Sequence, residues 1–186
     1  MKKIVLIGLF IIFVGVCIFI DIKKVSFLEF LTTKNTPDQS IFDGRNSSFT
    51  IDGVKVILKN GISEIKIVDS ASKIITRYFG NESYGDLNGD GLEDVAFLIT
   101  EETGGSGIFY YAVVALKTAT SYKTTNAFFI GDRIAPQTTE INTSAKELYV
   151  NFAERKPSEP MTTQPSQGAT LYLKVTPAGV LEGLMR

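Results

Sequence analysis

From Ser48 onward, apolar and polar positions alternate in short runs broken by turn residues, and this pattern predicts β structure. Phe49-Thr50-Ile51 and Val54-Lys55-Val56-Ile57-Leu58 flank Asp52-Gly53, the two-residue signal of a type I′ hairpin. A second turn at Lys59-Asn60-Gly61 leads into Ile62 to Val68, where Ile65 and Ile67 alternate with charged residues. Lys73 to Phe79 carries the β-branched set Ile74-Ile75-Thr76, which favours a strand over a helix. Val95 to Thr100 reads as a strand as well, and Ile108 to Leu116 is almost continuously apolar. A run of that kind is expected of a central strand covered on both faces. Ala127 to Ile130, Glu147 to Ala153, Ala169 to Val175 and Val180 to Leu184 continue the series. Seven to nine short strands separated by turns predict a mainly β fold, either an antiparallel β-sandwich or an open barrel-like sheet.

The pattern changes at the amino terminus. Met1-Lys2-Lys3 is a short basic segment, and Ile4 to Ile20 runs without a charged residue. That run reaches the lower end of the membrane-spanning range, and no small-residue cleavage site follows it. Residues 1–24 are therefore expected to form one N-terminal transmembrane helix, an uncleaved signal anchor at the cell membrane. The C-terminal domain is then extracytoplasmic. Residues 25–47, rich in Thr, Asn, Pro, Asp and Ser, are expected to be a juxtamembrane linker, and residues 48–186 the β-domain.

Charge and composition remove several function classes. Setting aside Lys2, Lys3, Lys23, Lys24 and Asp21 leaves 15 basic against 19 acidic residues, so the expected ectodomain is acidic. It has no basic footprint for nucleic acid. The single cysteine, Cys17, lies in the apolar run, and the chain has no histidine. Serine–histidine triads, thiol nucleophiles and histidine-ligated zinc are excluded. Chemistry by carboxylates alone or by a Ser-Lys pair remains, with Glu101, Glu102, Glu140, Glu154 and Glu159 as carboxylate candidates by residue type.

The segment richest in chemistry is Asp86-Leu87-Asn88-Gly89-Asp90-Gly91-Leu92-Glu93-Asp94. A calcium ion takes six to eight oxygen ligands, and closely spaced Asp and Asn side chains can supply them. Asp86, Asn88 and Asp90 occupy alternate positions, Gly91 permits a sharp turn, the carbonyl of Leu92 is available, and Asp94 closes the ring. An EF-hand is excluded, because its twelfth position requires Glu and here holds Phe97 in a strand-like run. The segment resembles the loops of integrin-α-type and VCBS-type repeats, with the pattern D-x-[DN]-x-D-G-x-x-D. That resemblance implies Ca²⁺ held by the side chains of Asp86, Asn88, Asp90 and Asp94 and by the carbonyl of Leu92. It departs from those repeats in copy number, since this chain has one loop.

Over residues 49–176 the chain also resembles a family of exported bacterial β-domains. The segments carrying the likeness are Thr76 to Asn81, Gly85 to Leu98, Gly104 to Leu116, Gly131 to Gln137 and Glu159 to Thr163. The resemblance implies export. The function expected on these grounds is a cell-envelope binding or interaction module, held at the membrane and facing an envelope protein or glycan. A carboxylate-dependent hydrolase of envelope polysaccharide and a structural envelope subunit are the rival expectations.

Overall fold

The computed structural model describes residues 41–185. The expected anchor, and the linker up to residue 40, lie outside the described residues. Residues 41–185 are mainly β, with twelve strands in antiparallel sheets. In chain order they are β1 (Ser48–Ile51), β2 (Val54–Ile57), β3 (Ile62–Lys66), β4 (Lys73–Gly85), β5 (Asp94–Glu102) and β6 (Phe109–Lys117). They continue with β7 (Tyr122–Thr124), β8 (Phe128–Asp132), β9 (Ala135–Asn142), β10 (Glu147–Glu154), β11 (Gln167–Val175) and β12 (Leu181–Gly183).

β1 and β2 pair as a separate hairpin, a six-stranded sheet runs β3-β4-β5-β6-β7 with β8 also paired to β6, and a four-stranded sheet runs β12-β11-β10-β9. The strand period of two divides β5 and β6 between two cores. Val95, Phe97 and Ile99 of β5 join Tyr111, Val113 and Ala115 of β6 against Phe49, Ile51, Val56 and Leu58 of the hairpin segment. Ala96 and Leu98, with Ala112, Val114 and Leu116, face Ile141, Leu148, Val150, Phe152 and Leu173 of the four-stranded sheet. Both faces of the central strands are covered, which is why their sequences lack polar alternation.

Asp52 (φ 48°) and Gly53 (φ 81°) both take positive φ, as a type I′ turn requires. Packing begins ahead of β1. The ring of Phe42 lies 5.5 Å from that of Phe97 and 5.1 Å from that of Tyr122, and a 3₁₀ turn at Gly44–Asn46 follows. Asn46 Oδ1 accepts from the Asn60 amide at 2.9 Å, tying this segment to the second turn.

Three elements differ from the sequence expectation. β4 runs on to Gly85 rather than ending at Phe79, through register shifts near Gly80 that absorb the positive φ of Gly80 and Asn81. β9 and β7 form where no strand pattern is evident. In β9 the alternation is obscured by Pro136, which is tolerated because β9 ends the order of the four-stranded sheet. β7 is three residues long and forms by pairing with Ala115, Leu116 and Lys117 of β6.

The two sheets meet where β9 passes β4. The Ile141 amide donates to Ser83 Oγ at 2.9 Å, and Asn81 Nδ2 donates to Thr139 Oγ1 at 3.1 Å. A Cβ on Gly85 would stand 2.9 Å from methyl carbons of Ile141 and Thr143, so the close approach needs glycine there.

Candidate functional site

The Asp86–Asp94 loop joins β4 to β5 at this seam. Leu87, 1% exposed, is anchored in the core against the four-stranded sheet, and it fixes the loop's path while its polar neighbours stay outside. Asp86 Oδ1 accepts from the Gly89 amide at 2.6 Å and Oδ2 from the Gly91 amide at 3.1 Å. Asn88 Oδ1 accepts from the Asp90 amide at 2.9 Å, and Asp90 Oδ1 from the Leu92 amide at 2.8 Å. Asp90 Oδ2 takes the side-chain amide of Asn88 at 3.1 Å. These short-range bonds are the turn chemistry for which Asp and Asn are favoured, with Gly89 and Gly91 at φ 87° and 83° supplying the bends.

Asp94 is different in kind. Its side chain is buried, with Oδ2 accepting the Leu87 amide at 3.0 Å and the Asn88 amide at 3.4 Å. Oδ1 accepts the Lys117 amide of β6 at 2.8 Å. Burial pushes its carboxyl above the usual range, while the three amide donors oppose that shift. The residue staples both ends of the loop to the neighbouring strand.

A cation already stands at the loop. Lys146 Nζ lies 2.8 Å from Asp86 Oδ2 and donates to the Asp86 carbonyl at 3.2 Å. Lys146 belongs to the β9–β10 turn, where Asn142 Oδ1 accepts the Ser144 and Ala145 amides and Lys146 itself takes φ 56°. The ion pair therefore links the two sheets. The Lys146 hydrogen bond, aided by the Gly89 and Gly91 amides, holds the Asp86 carboxyl below its ordinary value.

Of the five residues the sequence singles out, Asp86, Asn88 and Asp90 lie within one hydrogen-bonded turn, with Leu92 directly after it. Asp94 is joined to the turn through the Leu87 and Asn88 amides. Among the described residues, no three Asp or Glu side chains form a ready cation cage. As a fit to calcium, Asp86, Asn88 and Asp90 have the right donor chemistry on a partly exposed turn. Asp94 has less acceptor capacity left, because three amides already occupy it. Lys146 carries no local sequence signal, since it comes from a turn 60 residues away.

The other carboxylates named from the sequence are dispersed. Glu102 pairs with Arg77 at 3.3 Å, and Glu159 caps the Lys156 amide at 3.0 Å. The 155–166 segment is held by Arg155, which donates to the carbonyls of Thr163 and of Arg133, and by the Ser166 amide on the Glu154 carbonyl. Asp132 and Arg133 form a local ion pair at 2.6 Å, and Asp132 also accepts the Ile108 amide. No family model, no curated protein and no solved structure matches this chain.

Proposed function

We propose that the chain is a membrane-anchored, extracytoplasmic β-sandwich that binds one calcium ion at the Asp86–Asp94 loop and serves as a binding or interaction module of the cell envelope. The observation that carries the calcium reading is the local organisation of the loop. Main-chain amides orient Asp86, Asn88 and Asp90 within a nine-residue turn that has drawn a cationic side chain onto Asp86. Asp86, Asn88, Asp90 and the Leu92 carbonyl would hold the ion, with Asp94 closing the loop. When bound, calcium supplies charge neutralisation that a single ammonium group provides only at Asp86. The uncharged run Ile4 to Ile20 supports the anchor, and the acidic balance after residue 24 supports a role away from nucleic acid.

The test is the melting temperature of the chain in millimolar calcium against excess chelator. Extracellular calcium modules bind with dissociation constants of about 10⁻⁴–10⁻³ M. At 100 times such a constant, linkage stabilises the folded state by about 2.7 kcal/mol. The expected result is a rise of several degrees, lost in Asp90→Ala and poorly reproduced by magnesium, which prefers a tighter octahedral shell. Equal melting temperatures in the two solutions would overturn the calcium reading.

A further inference from the structure

The chain has two Asn-Gly pairs, Asn60-Gly61 and Asn88-Gly89, and the fold places them in opposite surroundings. In such a pair the glycine amide nitrogen can attack the asparagine side-chain carbonyl and close a five-membered ring. Glycine has no Cβ to crowd that approach. In a folded chain, ring closure needs a glycine amide that can leave its present bond and a side chain already turned toward it. At Asn60-Gly61 the fold blocks both. Gly61 is buried, its amide donates to the Arg45 carbonyl at 2.7 Å, and its carbonyl accepts the Tyr78 amide at 2.9 Å. The Asn60 amide is tied to Asn46 Oδ1 at 2.9 Å as well. Moving the Gly61 nitrogen means breaking main-chain bonds that join the second turn to β4 and to the segment before β1, so this pair reacts only after local opening.

Asn88-Gly89 is arranged the other way. Both residues are exposed, and the Gly89 amide donates to a side chain, Asp86 Oδ1 at 2.6 Å, rather than to a strand. Asn88 Oδ1 accepts the Asp90 amide at 2.9 Å, which folds the side chain back along the peptide that contains the Gly89 nitrogen. The same donor stabilises negative charge that develops on Oδ1 during attack. At the other end of the side-chain amide, Nδ2 donates to Asp90 Oδ2 at 3.1 Å.

We propose that Asn88 is a site of spontaneous deamidation in the folded protein and that Asn60 is protected from it. The Gly89 nitrogen forms a bond to Cγ of Asn88, and its proton passes to solvent hydroxide. The Cγ–Nδ2 bond breaks, and that nitrogen leaves as ammonia with a proton taken from water, which restores the hydroxide. A water molecule then opens the ring. Cleavage at Cγ gives aspartate, and cleavage at the main-chain carbonyl gives isoaspartate. Aspartate places a further carboxylate between Asp86 and Asp90. Isoaspartate lengthens the backbone by a methylene inside a turn whose bonds join residues only two to five positions apart, and so shifts their register. The modification follows from the ion-free loop and does not depend on the calcium reading.

The experiment incubates the full-length chain at pH 8 in excess chelator, with and without guanidinium chloride, and follows peptide masses over days. Deamidation replaces NH₂ by OH, and fragmentation assigns the mass gain to a single residue. In the folded chain Asn88 should convert faster than Asn60 by about tenfold or more, and in the denaturant the two rates should converge, because local opening no longer separates them. Asn88→Gln, whose attack requires a six-membered ring, should remove most of the gain measured on the whole folded chain. Thermal melts confirm that this variant is folded. The proposal is overturned if Asn88 keeps its amide, if Asn60 converts as fast in the folded chain, or if the denaturant leaves the ratio unchanged. It is also overturned if Asn88→Gln gains mass as the parent does.

Discussion

The two ends of β5 carry the same functional group in opposite circumstances. At the first, Asp94 is buried and both of its oxygens are met by main-chain amides, while Asp86 nearby is met by amides and by Lys146. At the other, Glu101 is half-buried with no ion pair among the described residues, and burial and the like charge of Asp52 push its carboxyl up against the opposing effect of the Thr76 hydroxyl. A satisfied carboxylate organises backbone. One raised by burial and a like charge costs stability instead. The difference teaches that on one strand acidic residues divide into stabilising staples and destabilising groups by their partners, not by their residue type.

Breaking the satisfied end should have the largest effect. Asp94→Ala leaves three amides without an acceptor beside a buried cavity, and the expected loss is about 3 kcal/mol or more in urea unfolding. Asp94→Asn, which keeps one acceptor oxygen, should lose less. If Asp94→Ala unfolded at the parent's midpoint, the staple would carry no weight.

A second intervention removes the resident cation. Lys146→Ala deletes a partly exposed ion pair, so the calcium-free domain should lose no more than about 1 kcal/mol. The same change should tighten calcium binding several-fold by calorimetry, because the ammonium no longer competes for Asp86 Oδ2. Unchanged affinity would mean that the ion and the lysine do not share that oxygen.

The unsatisfied end should respond with the opposite sign. The folded-state value for Glu101 is raised above that of the unfolded chain, mainly by burial and then by Asp52. Below the ordinary carboxyl range both states are protonated and no penalty exists. As pH rises through that range the unfolded chain releases its proton first, so the folded state loses relative stability until its own higher value is passed. Glu101→Gln should therefore raise the melting temperature at pH 7 and leave it unchanged at pH 3. Asp52 and Tyr111 face the same position, so Asp52→Asn should reduce the gain seen in Glu101→Gln. A lower melting temperature for Glu101→Gln at pH 7 would show that the carboxylate is satisfied after all.

The neighbouring residue sets the scale for the smallest effect. Glu102 points to the other face and pairs with Arg77, with both side chains about 40% exposed. Glu102→Gln should change stability by less than about 1 kcal/mol at low salt and by less still at high salt. A larger loss would place Glu102 in the packing of the sheet rather than at its surface.

Several elements were legible residue by residue. Asp52-Gly53 has one favoured conformation between two apolar runs, so the first hairpin follows from local sterics. The unbroken run from Phe109 to Leu116 requires cover on both faces, and the hairpin segment and the four-stranded sheet provide it. Alternating Asp and Asn with two glycines forms a tight turn by bonding to its own backbone, and the loop's internal hydrogen bonds span two to seven residues.

What local pattern did not reveal is each contact that depends on strand order. β9 carries Pro136 and few apolar residues, and it is a strand because β10 pairs with it. Lys146 meets Asp86 because β9 crosses β4 at Gly85, and Thr76 stands beside Glu101 because β4 pairs with β5. By itself the sequence determined the turns, the apolar faces and the crowding of acidic side chains into one loop, since those depend on bonding and burial over a few positions. The tertiary structure alone decided which carboxylates are neutralised and which are left facing each other, because charge acts through space and partners far apart in the chain become neighbours only once the sheets have paired.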